Sequence, residues 1–328
     1  MTHSQNFITR RHLVLAVLAT GSASALAQSS AWPAKPIRFI TPYPPGSTPD
    51  TLIRLIGPKL TEALGQPIVV DNRPGGNTII GGEAVVRAAP DGYTLMSTVM
   101  SHVLTPSLMQ MPYDAIKDFQ AIATLSAAEQ MLVVHSGLPA NNLQEFIAYA
   151  KARPGQINYA SVGTGGATHI IAEMFSQTAG ISMKQIPYKG SVPALTDLMG
   201  GQVQVFFAIP SSVVGHIQGG RVKPIAVSGT KRLAAFPQVP TFSEAGLTGF
   251  DVKTWFGVMG PTGIPRDVID KLSTTINRIL AQPDIREKMA SQGVEPFLTS
   301  PDEFSALMRT DMARFAAVIK QANIKMEN

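Results

Sequence analysis

The stretch that most constrains this chain runs from Phe39 to Leu52, F-I-T-P-Y-P-P-G-S-T-P-D-T-L. A short apolar run at residues 37–40 stops at Thr41-Pro42-Tyr43-Pro44-Pro45-Gly46. Proline has no N–H to give to a sheet ladder, so a strand has to end here. Thr48, Pro49 and Asp50 follow. Threonine is a favoured helix cap, proline fits the first helical turn, and an acid suits the positive end of a helix. Leu52, Ile56, Leu60 and Leu64 then recur every four residues, which predicts an amphipathic helix with one apolar face. The pattern is strand, rigid loop, helix start, and a helix start presents unpaired N–H groups able to hold an anion. Many α/β proteins use the same pattern as a plain turn, so this loop alone leaves both readings open.

The pattern recurs along the chain. Residues 67–70 read as a second strand, 71–78 as a loop and 79–88 as a helix, with a third strand at 93–97 after the turn Pro90-Asp91-Gly92-Tyr93. Strands alternating with helices predict a parallel sheet with right-handed crossovers. Two neighbouring apolar runs, 122–125 and 131–134, precede a second set: a helix at 143–152, strands at 157–161, 203–209 and 222–227, and helices after 168 and 191. Residues 231–249 hold Pro237, Pro240, Gly246 and Gly249 and read as a connector. An apolar stretch at 252–259 and three helices close the chain, which predicts a return to cover the first sheet. The expected organisation is a discontinuous first domain, 28–127 plus 253–328, flanking a second at 128–252. Ligands of such open sheets bind at the carboxyl ends of the strands, between domains.

Composition narrows the setting. Arg10 and Arg11, with no acids nearby, precede an apolar run at 13–19 and then Ala25-Leu26-Ala27. These are the parts of an export signal, residues 1–27, cleaved after Ala27. The run is too short to anchor in a bilayer. T-R-R-H-L-V at 9–14 also fits a twin-arginine signal, with ordinary export as the alternative. Removing both arginines lowers the formal charge from +5 to +3. The remaining basic residues are scattered, which fits a solvated surface rather than nucleic-acid binding. No later run approaches membrane-spanning length, so no membrane insertion of the mature chain is expected. The 328 residues include no cysteine, which excludes disulfides, thiolate metal sites and a cysteine nucleophile.

Spacings that signal catalysis are missing as well. There is no G-x-S-x-G, H-E-x-x-H or Walker loop, and G-T-G-G at 163–166 departs from G-x-G-x-x-G because residue 168 is threonine. His102, His135, His169 and His216 lie far apart in sequence, and each reads first as a structural residue. Catalytic residues, metals and cofactors are therefore not expected. What recurs is a loop rich in Gly, Ser, Thr and Asn ahead of a helix, at 46–48, 75–78, 161–168 and 188–191. Glycines let amides converge and hydroxyls add donors, which suits holding a carboxylate rather than transforming it.

Y-P-P-G-S-T-P-D (43–50), D-N-R-P-G-G-N-T-I-I-G (71–81), A-P-D-G-Y-T-L (89–95), P-Y-K-G (187–190), L-M-G-G-Q-V (198–203), V-P-T-F-S-E-A-G (239–246) and G-P-T-G-I-P (260–265) occur in this order. In these motifs the mature chain resembles the extracytoplasmic solute receptors of tripartite tricarboxylate transporters, the Bug family. The resemblance implies an α/β, two-lobed, periplasmic-binding-protein-like fold of type II, each lobe a mostly parallel sheet flanked by helices. It implies a periplasmic, monomeric, non-catalytic receptor that takes a small carboxylate and delivers it to membrane transporter subunits. Carried over by motif, the ligand loops are Tyr43, Gly46, Ser47 and Thr48, then Gly76, Asn77 and Thr78. Ser161, Gly163, Thr164, Gly165 and His169 form the opposing wall, with Ser101, Ile209 and Ser211 added. The chain departs from the family's P-P-G-G at Ser47, and from its further Gly or Ala at Asn77 and Thr78. These changes add hydrogen-bonding groups, so no particular member's ligand carries over. The rival readings are a binding module feeding a sensor kinase, and an exported enzyme acting on small acids. A histidine beside a carboxylate in the cleft would revive the last.

Overall fold

A computed structural model describes residues 32–291 and 294–325; the expected export signal lies outside them. In chain order come β1 (Ile37–Thr41), α1 (Thr48–Leu64), β2 (Ile68–Asn72), α2 (Ile79–Val86), β3 (Thr94–Val99) and the short α3 (Ser101–Leu104). Next are β4 (Phe119–Glu129), β5 (Met131–His135), α4 (Leu143–Lys151), β6 (Asn158–Val162), α5 (Ala167–Ala179) and β7 (Lys184–Tyr188). Then follow α6 (Ser191–Met199), β8 (Val205–Ala208), α7 (Val214–Gln218), β9 (Val222–Val227) and β10 (Lys253–Pro261). The chain closes with α8 (Arg266–Leu280), α9 (Pro283–Ser291), β11 (Glu295–Pro296) and α10 (Pro301–Gln321).

The strands form two sheets, ordered β11-β4-β10-β3-β1-β2 and β7-β6-β8-β5-β9. Strand β1 pairs in parallel with β2 and β3, and β6 in parallel with β7 and β8, as the alternating pattern predicts. Around the crossings between sheets the ladders are antiparallel: β10 with β3 and β4, β11 with β4, and β5 with β8 and β9. Both sheets are thus mixed rather than mostly parallel. The difference has a separate cause in each sheet: in the second, β5 runs antiparallel between β8 and β9, and in the first, β10 does so between β3 and β4. The apolar stretch after residue 252 is a strand, β10, and it enters the first sheet between β3 and β4.

The sheets are joined closely. Gln130 alone separates β4 from β5, and Ser228 meets it on the return path: the Ser228 amide donates to Gln130 O at 2.8 Å, and the Gln130 amide to Ser228 Oγ at 2.8 Å. Ser228 Oγ donates to Glu129 Oε2 at 3.0 Å, and Glu129 pairs with Lys253 at 2.9 Å. The C-terminal helices return to the first sheet as the sequence predicts. Trp255 of β10 donates its indole N–H to Asp311 of α10 at 2.7 Å. Helix α10 also reaches α5, where Gln177 Nε2 donates to Val318 O at 3.3 Å. By packing, the described residues from Lys35 onward accordingly form one compact unit carrying two sheets.

Helix α1 shows how the sequence pattern becomes packing. Leu52, Ile53, Ile56 and Leu60 are fully buried. Each such side chain contributes about 1.5–3 kcal/mol by leaving water. The stretch at 231–249, read as a connector, does more than connect. Phe242 stacks edge-on against Phe250 at 4.6 Å and lies 5.7 Å from Phe175 and 6.4 Å from Phe207, so the segment completes the core beneath the second sheet.

Candidate carboxylate-binding site

Because β3, β1 and β2 are adjacent and parallel, their carboxyl ends lie side by side. Pro42, Pro44 and Pro45 end β1, and α1 starts with Ser47 as its backbone cap, one residue earlier than the sequence suggests. Ser47 makes no side-chain cap bond. Asp50 does the capping work instead. Its carboxylate, 2% exposed, accepts from the Gly46 amide at 2.8 Å, from Asn72 Nδ2 at 2.9 Å and from Arg54 Nε at 3.0 Å. Burial pushes the Asp50 carboxyl up, but the bonds from Arg54, Gly46 and Asn72 together outweigh it and hold the group below its usual range. Asn72 Nδ2 also donates to Tyr43 O at 3.1 Å, which ties the first loop to the end of β2.

The expected first-lobe residues come together here, though not all with free groups. Tyr43 and Ser101 hydroxyls meet at 3.2 Å. Burial raises the Tyr43 phenol above its ordinary value, the bond to Ser101 opposing it, so this hydroxyl keeps its proton. The Gly46 amide is committed to Asp50 and does not point out as a spare donor. Thr48 is the first helical residue, and its carbonyl accepts from Thr51 Oγ1 at 3.1 Å. Gly76, Asn77 and Thr78 form a single 3-10 turn at the end of the second loop, just ahead of α2. Gly76 has φ 55° and Thr78 φ 80°. A left-handed conformation is ordinary for the glycine. For a β-branched threonine it costs about 1–2 kcal/mol. Ser47 Oγ and Thr78 Oγ1 are both buried without a hydrogen-bond partner. Native proteins rarely leave such groups unsatisfied, and each exception calls for an explanation.

The second sheet places its residues by the same rule, at the carboxyl ends of parallel β6 and β8. Ser161 Oγ accepts from Gln185 Nε2 at 2.7 Å and donates to Gly163 O at 3.4 Å, so its hydroxyl is occupied within the fold. The Gly163 amide donates to Tyr188 O at 3.0 Å. Thr164 and Gly165 complete the turn, with φ 79° at Gly163 and 74° at Gly165, conformations that glycine adopts without strain. The Gly165 amide donates to His169 Nδ1 at 3.0 Å. The ring proton therefore sits on Nε2. Burial lowers the His169 pKa to about 4, so near neutral pH this residue is an uncharged N–H donor.

Ile209 and Ser211 sit in the turn after β8, where the Ser212 amide and hydroxyl donate to Ile209 O at 2.9 and 2.7 Å. Ser211 lines a groove of about 530 Å³ together with Ala127, Glu129, Phe236, Lys253 and Pro296. Among the described residues no hydrogen bond joins the Tyr43–Thr78 loops to the Ser161–His169 loop.

Among the described residues no direct histidine–carboxylate bond appears at these loops. His102 Nε2 bonds Ala115 O at 2.8 Å, and its pKa falls to about 4 through burial. Near His169, Glu173 accepts from the Tyr159 hydroxyl at 2.6 Å. Sequence reading missed Asn72 and Tyr113 and treated Asp50 mainly as a helix-start residue within the first motif. Asp50 and Arg54 at a spacing of four are visible as a helical ion pair, which was a usable signal. Tyr113 gave none. Its hydroxyl reaches this region by packing against Gly82, where a Cβ would lie 2.2 Å from it.

Comparison with known proteins gives the family. Residues 52–324 match the family described as the tripartite tricarboxylate transporter family receptor. The chain is similar to protein BugT of Bordetella pertussis, 34% identical over 324 residues, 98% of this chain and 99% of that one. Among solved structures it is similar to a Rhodopseudomonas palustris protein with adipate, at TM-score 0.74 and 31% identity, covering 90% of this chain and 100% of that one. It is also similar to MatC of the same organism with bound malate, at TM-score 0.71 and 28% identity, covering 88% and 100%.

Proposed function

The chain belongs to the tripartite tricarboxylate transporter receptor family, and from that premise we propose that it captures a small organic carboxylate between its two sheets and delivers it to a tripartite membrane transporter. Relatives solved with adipate and malate support the ligand class. The observation that carries the reading is the pair of buried, unpartnered hydroxyls, Ser47 Oγ and Thr78 Oγ1, on loops that follow adjacent strands. A carboxylate oxygen is the acceptor such donors lack. Tyr43, Gly46, Thr48, Gly76, Asn77 and Ser101 shape this side. Gly163, Thr164, Gly165 and the Nε2–H of His169 face it, with Ser161 as a brace and Ile209 and Ser211 at the margin. The first lobe comprises 28–127 and 253–328, and the second 128–252.

We read the protein as non-catalytic and monomeric, exported to the periplasm by the signal at 1–27. The commitment of His102 to Ala115 and of His169 to Gly165 supports the absence of chemistry, since neither ring is paired with a general-acid carboxylate. A thermal-shift series with mono-, di- and tricarboxylates tests the reading. A ligand that binds only the folded chain raises its melting temperature. At least one acid at millimolar concentration is expected to do so, and a flat response to all of them counts against the proposal.

A further inference from the structure

Thr78 Oγ1 is not the only orphan at the second loop. The Tyr113 hydroxyl is also buried without a hydrogen-bond partner, in a residue only 8% exposed. It lies beside Thr78, whose hydroxyl partly offsets the burial that pushes Tyr113 up to about 12, yet the two groups form no bond of full geometry. The phenol reaches this point because residue 82 is glycine. The ring itself is held firmly, edge-on to Phe119 at 5.2 Å and parallel to His102 at 6.4 Å. Thr78 meanwhile keeps a β-branched side chain at φ 80°, where glycine would be unstrained. A strained threonine with an idle hydroxyl, backed by an idle phenol, is unsatisfied unless a further acceptor arrives.

Hydrogen-bond direction decides what that acceptor is. A protonated phenol is the natural donor, and a threonine hydroxyl can accept one bond while giving another. If Thr78 donated to Tyr113, the phenol proton would be left without an acceptor. If Tyr113 donates to Thr78, the threonine proton is free to point onward, and the chain ends satisfactorily on an anionic oxygen. We propose that Tyr113 is a positioning residue for ligand capture: its hydroxyl donates to Thr78 Oγ1 and so turns the Thr78 proton toward a carboxylate oxygen of the ligand. The proposal rests on the reading that the second loop contacts the ligand, and adds a residue that does not itself touch it.

Calorimetric titration of the whole chain with succinate, malate, adipate and citrate identifies an acid that binds, and that acid is then titrated into Tyr113→Phe, Thr78→Val, Thr78→Ser and the double variant Tyr113→Phe/Thr78→Val. Tyr113→Phe keeps the ring and its packing, so its ligand-free melting temperature is expected to stay near the native one. Each of Tyr113→Phe and Thr78→Val is expected to weaken binding about tenfold, the scale of one hydrogen bond to a charged group. Thr78→Ser is expected to restore affinity, and the double variant to bind no more weakly than Thr78→Val alone. Native affinity in Tyr113→Phe, or fully additive losses in the double variant, overturns the relay and leaves the receptor reading standing. Failure of the native chain to bind any of the four acids overturns the receptor reading and the relay with it.

Discussion

Asp50 illustrates how one buried carboxylate sets the shape of a loop it only borders. It gathers Gly46, Arg54 and Asn72, and through Asn72 it fixes the Tyr43 carbonyl. Asp50→Ala is therefore expected to lower stability by about 2–3 kcal/mol and to weaken ligand binding as the first loop loosens. Urea denaturation and calorimetry check the two effects separately. A stable variant with native affinity would deny Asp50 this role. Titration adds a second prediction. His102 is 1% exposed and has its pKa lowered to about 4 by burial, so between about pH 6.5 and 4 the unfolded chain binds a proton that the folded chain refuses. Stability accordingly falls as pH drops through that window, by on the order of 3 kcal/mol from His102. Asp50 acts later. Its folded pKa is depressed, so its contribution is complete above the ordinary aspartate value near ~4 and is lost as pH falls below it. Urea midpoints at pH 7 and 4.5 are expected to drop further for the native chain than for His102→Gln.

At the scale of elements, α2 packs closely on its neighbours because of two adjacent glycines. A Cβ at Gly81 would lie 2.6 Å from Pro42 Cβ and 3.1 Å from Pro42 Cα, and one at Gly82 would overlap the Tyr113 phenol. Glycine to alanine inside a helix ordinarily gains about 0.5–1 kcal/mol. Here the sign reverses. Gly82→Ala is expected to cost about 1–3 kcal/mol through overpacking and to displace the Tyr113 hydroxyl from the second loop. A variant that melts at or above the native temperature would show that α2 can shift without cost. The last helix, α10, makes the opposite case, one of local sequence deciding structure. Ser300 accepts from the Glu303 amide at 3.2 Å, and Glu303 Oε2 accepts from the Ser300 amide at 2.7 Å, a capping box visible in S-P-D-E. Ser300→Ala is expected to cost about 1 kcal/mol in urea denaturation, with ligand affinity unchanged.

For the whole molecule, two sheets are joined at Gln130 and Ser228, whose mutual hydrogen bonds bring both crossings to one point. If the ligand sits between the sheets as proposed, such a junction would let them close on it, and the ligand would drive closure only by the contacts it makes better in the closed state. Small-angle scattering is expected to give a smaller radius of gyration for the ligand-saturated chain than for the free one. Identical profiles would mean that capture needs no closure.

The loops of the candidate site were legible in the sequence because proline, glycine and capping residues act over a few bonds: Pro42, Pro44 and Pro45 end β1, and the glycines at 75–76 and 163–165 form the turns, whatever surrounds them. Helix α1 was legible for the same reason, its apolar residues recurring at the helical period. The placement of β10 between β3 and β4 was not, since a buried strand and any other apolar run look alike until their hydrogen-bond partners are known. Nor was the contact of Tyr113 with Gly82 and Thr78, whose groups come from separate elements and meet only when the sheet has formed. Sequence alone determined where the loops and helix starts fall, and so where backbone donors gather. Tertiary structure decided which of them were already taken, because a hydrogen bond between distant residues depends on packing that no local pattern records.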